Sequence, residues 1–118
     1  MKRPNQTTVE VQADGITRRV TGAIEAWNCA DVVEQLSALD GPRTLVDLAG
    51  VKEVDSTGLG ALIDIHQRSK RLGHQLAFSN PSPAVRRLLE TTRLLRFFTI
   101  LEDPASIAQF LAPEPATD

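Results

Sequence analysis

An almost unbroken apolar run, TLVDLAGV at Thr44–Val51, constrains the fold of this chain more than any other segment. Apolar residues that do not alternate with polar ones are typical of a strand that is covered on both faces, as in a parallel sheet. Parallel strands cannot be joined by a tight turn and need a long crossover, which is usually a helix. The sequence on either side of this run should therefore alternate between strands and helices.

The flanking sequence shows this alternation. Apolar residues at period 2 or in short runs predict four more strands, and apolar residues at helical spacing predict four helices. The strands are TTVEVQ from Thr7, ITRRVTG from Ile16, QLAFSN from Gln75 and FFTIL from Phe97, and the helices start near Asn28, Asp55, Ser82 and Asp103. The order β-β-α-β-α-β-α-β-α predicts one α/β domain with a mixed, mostly parallel sheet, an N-terminal antiparallel hairpin strand and about four helices.

Turn and cap residues mark the predicted boundaries. Asp14-Gly15 is a two-residue hairpin signal between the first two strands. Asn28, with Asp31 three residues on, predicts an approximate capping box at the first helix. Further boundary signals are Asp40-Gly41-Pro42 after the first helix, Gly73 after the second, and Ser82-Pro83 before the third.

Length and composition limit the kind of protein this is. With 118 residues, the chain has room for one domain around one hydrophobic core. We expect residues 7–112 to form that domain and residues 1–6 and 113–118 to be flexible ends. Hydrophobic residues make up 42% and charged residues 24%, as is typical of a soluble globular protein. The formal net charge of -2, with basic residues interspersed among acids, argues against direct nucleic-acid binding.

Membrane and metal functions are also disfavoured. No apolar run approaches the length of a membrane-spanning helix, and no apolar segment of a signal peptide follows the charged N-terminus. Cys29 is the only cysteine, so the sequence predicts neither an intrachain disulfide nor a zinc cluster. We therefore expect a cytoplasmic protein without membrane insertion or a bound metal.

The segment VDSTGLG, Val54–Gly60, joins the predicted central strand to the second helix and places Ser56 at the junction. In α/β sheets, functional residues gather where the carboxyl ends of strands lead into helix N-termini. Three roles for Ser56 compete: it caps the helix, it attacks a substrate, or it receives a phosphate.

Capping is the simplest of these roles. Asp55, Ser56 and Thr57 are all good N-cap residues, so the sequence does not assign the cap to one of them. Capping alone leaves two glycines unexplained, because Gly58 and Gly60 each cost about 1 kcal/mol relative to Ala inside a helix. Small residues there would leave the backbone open to close approach by something else.

A nucleophilic role lacks its partners. A hydrolase elbow needs glycine two residues before the serine, and Val54 occupies that position. If His66 lies on the same helix, it is about 15 Å away along the axis at roughly 1.5 Å per residue. A general base must come within about 3 Å, and His74 should lie further still. We therefore expect no catalytic residue and no enzyme activity.

A phosphoacceptor role suits the position of Ser56. A serine in the first helical turn, flanked by glycines, is accessible to the active site of another protein. The phosphate would lie at a helix N-terminus, where the helix dipole and free N–H groups favour an anion. Modification would then change the surface charge without unfolding the domain, as a switch for protein–protein interaction requires.

Taken in this order and spacing, the motifs resemble the STAS-domain family of anti-sigma factor antagonists. The resemblance covers most of the chain and rests above all on Val54–Gly60, which is close to the family's Asp-Ser-[Ser/Thr]-Gly-Leu-Gly. Gly22–Glu25 stands where the family commonly has Gly-x-Leu-Asp, with Glu25 in place of Asp. Leu45–Leu48 and Asn80–Pro83, the latter before a Val-x-x-Leu-Leu helix, also fit the family pattern.

The resemblance implies a function. Unphosphorylated members bind an anti-sigma factor with a GHKL-type serine kinase fold and so free a sigma factor. The anti-sigma factor phosphorylates the serine that matches Ser56, the complex dissociates, and a separate serine phosphatase resets the switch. ATP and Mg²⁺ belong to the partner, so this chain would need no cofactor of its own.

The partner is expected to contact the turn before the second helix and the loop that follows the second strand. Both should meet at the carboxyl edge of the sheet. The partner-binding residues predicted on this basis are Glu25, Asp55, Ser56, Thr57, Gly58, Leu59 and Gly60.

The resemblance leaves one functional alternative, in which the chain is a STAS scaffold or subunit of a stressosome-type or lipid-transport ABC assembly. The family implies that the transporter subunits tend to carry Thr where Ser56 stands and lack the pair seen at Leu59-Gly60.

Trp27-Asn28-Cys29 departs from the small residues and proline expected before the first helix. Trp27 is expected to pack in the core or at its edge, with partner contact as the alternative, and Cys29 to pack as a small hydrophobe.

Overall fold

The structure is a computed structural model that describes residues 7–37 and 42–112. The two ends predicted to be flexible, residues 1–6 and 113–118, lie outside the described residues. The same holds for Asp40 and Gly41 of the predicted stop after the first helix.

The described part of the chain contains five strands and four helices in the predicted order, which confirms the α/β fold. Each helix except the last crosses from one strand to the next. The elements are β1 Thr8–Val11, β2 Thr17–Ile24, α1 Cys29–Ser37, β3 Arg43–Val54, α2 Ser56–Arg71, β4 Gln75–Ser79, α3 Pro83–Thr91, β5 Ile100–Leu101 and α4 Pro104–Leu111.

The five strands form one sheet in the order β1-β2-β3-β4-β5. The pair β1-β2 is antiparallel and the other three pairs are parallel. Because successive crossovers move in one direction and crossovers of this kind are right-handed, α1, α2 and α3 are expected on the same face of the sheet. One hydrophobic cluster holds buried residues from all three helices, which include Leu36, Leu62 and Leu89.

Strand β3 is the centre of the sheet, as its apolar run predicts. Neighbouring side chains of a strand point to opposite faces. Leu45 and Val46 are both almost completely inaccessible, so both faces are covered at this point. At the start of β3, the Arg43 guanidinium donates hydrogen bonds to the carbonyl oxygens of Phe110 at 2.6 Å and Ala112 at 2.7 Å. These bonds fix the end of α4 beside the central strand.

Two predicted helix boundaries are confirmed. The Ser82 hydroxyl accepts a hydrogen bond from the backbone N–H of Val85 at 3.3 Å, and Pro83 is the first residue of α3. After α2, Gly73 has φ +72°, its N–H donates to the carbonyl of Lys70, and the His74 N–H donates to the carbonyl of Ser69. This pair of bonds is a Schellman motif, which needs a residue with positive φ at the position of Gly73.

The first hairpin is wider than predicted. Residues 12–16 join β1 to β2, so Asp14-Gly15 is part of a longer loop rather than a two-residue turn. The Asp14 carboxylate accepts hydrogen bonds from the backbone N–H groups of Ile16 at 2.8 Å and Thr17 at 2.7 Å, and from the Thr17 hydroxyl at 2.6 Å. Burial raises the pKa of this carboxyl, but these bonds and the charge of Arg18 outweigh the effect and leave the pKa below its usual value.

The last strand is shorter than predicted. Of the segment FFTIL, only Ile100–Leu101 pairs with β4. The Phe98 ring is buried and meets the Phe78 ring edge to face, with 5.1 Å between their centroids. An apolar run predicts that its residues are buried, but Phe98 is buried while lying in the turn before β5. The apolar pattern therefore does not show at which residue the strand begins.

Candidate functional site

The turn between β3 and α2 is built around Asp55. This residue is the N-cap of α2, with extended backbone at φ -99° and ψ -177°. Its carboxylate oxygen Oδ1 accepts a hydrogen bond from the backbone N–H of Gly58 at 2.7 Å. Ser56 is the first residue of the helix, and its side chain is exposed. Of the three cap-forming residues in the sequence, Asp55 therefore makes the cap, and the Ser56 hydroxyl is available for another role.

The same carboxylate also joins two loops. Its second oxygen, Oδ2, accepts a hydrogen bond from the backbone N–H of Ala26 at 3.3 Å, and the backbone N–H of Asp55 donates to the carbonyl of Ile24 at 3.3 Å. Ile24 and Val54 are neighbours in the parallel pair β2-β3. The loop after β2 and the turn after β3 therefore form one continuous edge, and the structure brings Glu25 and Ser56 to it.

The two glycines of this turn have different environments. Gly58 is buried, and a Cβ atom on it would lie 1.9 Å from the carbonyl oxygen of Ile24. Gly60 is exposed, and a Cβ atom there would have nothing within 4 Å. The expectation that both glycines leave the backbone open to another molecule is therefore wrong for Gly58, where the close approach comes from β2 of the same domain.

The predicted partner-binding residues separate into a buried and an exposed group. Leu59 is only 6% exposed and belongs to the hydrophobic core, as the neighbouring Gly58 belongs to the packing of α2 on β2. Neither presents a surface to a partner. The residues that the structure leaves at least partly accessible are Glu25, Asp55, Ser56, Thr57 and Gly60.

Asn28 stands immediately before α1, but its side chain does not cap that helix as predicted. Its amide oxygen accepts a hydrogen bond from the backbone N–H of Glu25 at 2.8 Å. Its amide nitrogen donates to the hydroxyl of Thr7 at 2.6 Å and to the carbonyl of Ala23 at 2.8 Å. The side chain is buried and ties the loop after β2 back to β2 and to Thr7, the residue before β1.

Trp27 is placed differently from the expectation. Its side chain is 61% exposed and lies in the loop between β2 and α1, so the prediction that it packs in the core or at its edge is wrong. The indole Nε1–H donates a hydrogen bond to the Glu25 carboxylate at 3.2 Å. The exposed indole therefore stands beside the edge that carries Ser56. Cys29 is half-buried against the core, which agrees with its expected role as a small hydrophobe.

An open groove of about 800 Å³ runs between α1 and α2 from this edge. Cys29 and Thr57 lie at one end of it and Arg68 at the other, where Arg68 pairs with Asp64 at 3.1 Å. Its remaining lining residues are small or apolar, apart from Glu34. They are Ala30, Val33, Gly60 and Ala61.

The two histidines are not arranged as bases for Ser56. His66 lies further along α2 and packs against Phe97 and Phe98, with ring centroids 4.8 Å and 5.5 Å apart. Burial, together with the nearby charge of Lys70, lowers the pKa of His66. His74 follows the C-terminal end of the same helix. His66 therefore belongs to an aromatic cluster at the side of the domain rather than to the turn.

Among the described residues, no group of three or more His, Cys, Asp or Glu side chains is placed to hold a metal ion. Within residues 7–37 and 42–112, no helix is both long and apolar enough to cross a bilayer.

Comparison with known proteins identifies the family. The STAS domain family model matches residues 6–107, which is most of the chain. The chain belongs to the STAS domain family.

Solved structures share this fold. An anti-sigma factor antagonist from Mycobacterium paratuberculosis superposes with a TM-score of 0.75 at 21% identity, over 92% of this chain and 97% of that one. A putative anti-sigma factor antagonist from Thermotoga maritima gives 0.69 at 18% identity, over 87% and 92%. The Bacillus cell fate determinant SpoIIAA, in its phosphorylated form, gives 0.59 at 15% identity, over 88% and 98%. At these identities the likeness shows the fold.

Proposed function

We propose that this chain is an anti-sigma factor antagonist and that Ser56 is its phosphoacceptor. The unphosphorylated form binds an anti-sigma factor with a GHKL-type serine kinase fold and releases a sigma factor. Phosphorylation of Ser56 by that partner ends the binding, and a serine phosphatase restores it. The chain itself carries out no catalysis, and ATP and Mg²⁺ belong to the partner. Sigma factors act in the cytoplasm, so the proposal places the chain there.

The observation that supports the proposal most is that Asp55, and not Ser56, caps α2. A serine that caps a helix has its side-chain oxygen engaged with a backbone N–H of the first turn. Here Asp55 supplies that oxygen, and Ser56 is exposed as the first helical residue. The Ser56 hydroxyl can therefore enter the active site of another protein without opening the helix.

The N-terminus of α2 also suits a phosphorylated Ser56. A phosphate on Ser56 would lie at the N-terminus of a 16-residue helix, whose dipole and first-turn N–H groups favour an anion. The stabilisation is about 0.3–1 kcal/mol at an exposed site. The phosphorylated domain should therefore stay folded, and the change is confined to its surface.

The accessible residues around Ser56 define the surface proposed to meet the partner. Glu25, Asp55, Thr57 and Gly60 lie on the same edge, and the hydrogen bond between Ala26 and Asp55 joins the two loops that carry them. The charged groups on this edge are the Glu25 and Asp55 carboxylates, and His66 packs against Phe97 and Phe98 rather than beside the serine. An interaction surface fits this arrangement better than an active site does.

The test is phosphorylation by a purified GHKL-type kinase with Mg-ATP. We expect one phosphate per chain, mapped to Ser56 by tandem mass spectrometry, and none on Ser56→Ala. Ser82 is an internal control, because it is buried and its hydroxyl is engaged as the cap of α3. Phosphate on Ser82, Ser106 or Thr57 in place of Ser56 would contradict the proposal.

A further inference from the structure

The most exposed aromatic side chain of the described residues stands beside the proposed phosphoacceptor. Trp27 is the only tryptophan of the chain and is 61% exposed. Exposed tryptophans are unusual on a protein surface that meets only water, and they are enriched among the residues that dominate protein–protein binding. Trp27 is therefore a candidate binding residue.

The loop that presents the indole is tied down by side-chain hydrogen bonds. Asn28, next in the chain, makes three hydrogen bonds that reach Glu25, Ala23 and Thr7. The indole itself is held by its bond to the Glu25 carboxylate. A contact residue that is already fixed loses little conformational freedom on binding, which favours affinity. Glu25 acts here as a positioning residue for the indole.

The position of Trp27 relative to Ser56 decides which molecule can cover it. Ala26, the residue before Trp27, is hydrogen-bonded to Asp55, the residue before Ser56. A standard interface covers about 800 Å² on each partner, which is a disc of roughly 16 Å radius. A kinase interface of that size centred on the Ser56 hydroxyl would therefore cover this loop as well.

Another exposed apolar residue does not share that position. Leu72 is 66% exposed and follows the last residue of α2. At about 1.5 Å per residue, the helix carries it about 24 Å from Ser56, outside a disc of that radius centred on Ser56. Leu72 is therefore a matched control, as an exposed apolar side chain on the same domain at the far end of the same helix.

We propose that Trp27 is the anchor residue of the complex with the serine kinase and that it inserts into an apolar pocket beside the kinase active site. This inference rests on the proposed function and adds the contact that sets affinity and partner choice. A kinase without a pocket at that position would leave the indole unpaired at the interface. Trp27 would in this way restrict the chain to its own kinase.

The affinity test uses the purified kinase that transfers phosphate to the wild-type chain, with Mg-ADP to prevent turnover. Calorimetry should show that Trp27→Ala weakens binding by at least about 30-fold, the usual minimum for such an anchor. Trp27→Phe keeps a ring and should recover most of the affinity, and Leu72→Ala should bind like wild type. Thermal unfolding of Trp27→Ala should match wild type, because the indole is exposed.

Two further measurements separate a contact from an indirect effect. In the phosphorylation assay, Trp27→Ala should raise KM and leave kcat nearly unchanged, since the indole does not touch the reacting hydroxyl. Fluorotryptophan placed in this chain alone gives one fluorine NMR resonance, because the chain has one tryptophan. That resonance should shift when the kinase is added.

The possible failures are distinguishable. If the wild-type chain neither binds the kinase nor gains phosphate, the proposed function fails and this inference fails with it. If wild type binds and is phosphorylated on Ser56, but Trp27→Ala binds within about twofold or the fluorine resonance does not move, only the anchor role is overturned.

Discussion

The carboxylate of Asp55 accepts a hydrogen bond from the backbone N–H of Ala26 at 3.3 Å, across 29 positions of sequence. The bond fastens the turn before α2 to the loop before α1. Because the other carboxylate oxygen caps α2 at Gly58, one side chain fixes both parts of the edge that carries Ser56. The geometry of the site therefore depends on Asp55, while the chemistry proposed for it depends on Ser56.

The first prediction separates these two roles by stability. Asp55→Ala removes the cap and should lower the free energy of unfolding by about 1 kcal/mol or somewhat more. Ser56→Ala should change it by less than about 0.5 kcal/mol, because the serine is exposed. Urea denaturation of the two variants beside wild type gives both values. A larger loss for Ser56→Ala than for Asp55→Ala would mean that the serine is the working cap.

The second prediction compares the two glycines of the same helical turn. Gly58→Ala places a methyl group 1.9 Å from the carbonyl oxygen of Ile24, so α2 must move away from β2. We expect a loss of about 1–3 kcal/mol, as for other overpacked sites. Gly60→Ala has free space and should stabilise the helix by about 0.5–1 kcal/mol. Equal effects of the two substitutions in chemical denaturation would show that this packing is wrong.

How far the sequence predicts the fold is clearest around β3. The unbroken run Thr44–Val51 predicts a strand covered on both faces, and Leu45 and Val46 are buried on opposite faces. Ser82-Pro83 likewise predicts the start of α3, since a cap and a proline at the first helical position act through local geometry alone. Predictions of this kind succeed because the physical cause lies within a few residues of the pattern.

The details of the site could not be predicted from the sequence, because they depend on contacts between segments that are distant in the chain. Asp55, Ser56 and Thr57 are equally good cap formers in the sequence. In the structure Asp55 makes the cap, and its carboxylate also accepts the hydrogen bond from Ala26, which is distant in sequence. Gly58 is small because of the Ile24 carbonyl, which no local pattern reveals. Trp27 is hydrophobic enough to predict burial, yet the tethered side chain of Asn28 fixes its loop at the surface.

A third prediction concerns the end of α3, where Arg93 has φ +62°. Its N–H donates to the carbonyl of Glu90 and the Leu94 N–H to the carbonyl of Leu89, in the same pattern that Gly73 makes after α2. A side chain in this conformation costs about 1–2 kcal/mol relative to glycine. Part of that cost is offset by the extra freedom of glycine in the unfolded chain.

Arg93→Gly should therefore raise the free energy of unfolding by about 0.5–1 kcal/mol. Gly73→Ala is the matched control and should lower it by about 1 kcal/mol, since φ there is +72°. Thermal and urea unfolding measure both. A loss of stability in Arg93→Gly would show that the Arg93 side chain makes a contact worth more than the strain.

The fourth prediction is a pH dependence that comes from His66. Burial first, and the charge of Lys70 second, lower the pKa of His66 in the folded state. The unfolded chain then binds more protons than the folded one at mildly acidic pH. The contribution of His66 to stability is therefore complete above the unfolded pKa of about 6.5 and is lost as the pH falls toward the lower folded value.

Urea titrations from about pH 8 to pH 5 should show this loss in wild type and a smaller one in His66→Gln. Lys70→Gln removes the second cause, so the loss should begin at the same pH and be smaller than in wild type. If the free energies of unfolding of wild type and His66→Gln change with pH in parallel over this range, His66 has the same proton affinity in the folded and unfolded states.

The last prediction is the charge mechanism of the switch. Phosphate on Ser56 adds about -1.5 to -2 charges at neutral pH, beside an edge that already carries the Asp55 and Glu25 carboxylates. The helix dipole offsets only about 0.3–1 kcal/mol within this domain. The kinase active site holds the phosphates of its own nucleotide, and like charges across an interface cost several kcal/mol. A loss of about 4 kcal/mol would weaken binding roughly a thousandfold.

Three substitutions at Ser56 separate charge from bulk. Ser56→Glu should weaken binding in part, since it adds one charge, while Ser56→Gln has nearly the same shape without the charge and should bind more tightly than Ser56→Glu. Ser56→Ala should bind and stay bound in Mg-ATP, because the release step is missing. Calorimetry against the purified kinase, with and without ATP, measures all of them. If Ser56→Glu and Ser56→Gln lose the same affinity, bulk rather than repulsion ends the complex, even with Ser56 as the true phosphoacceptor.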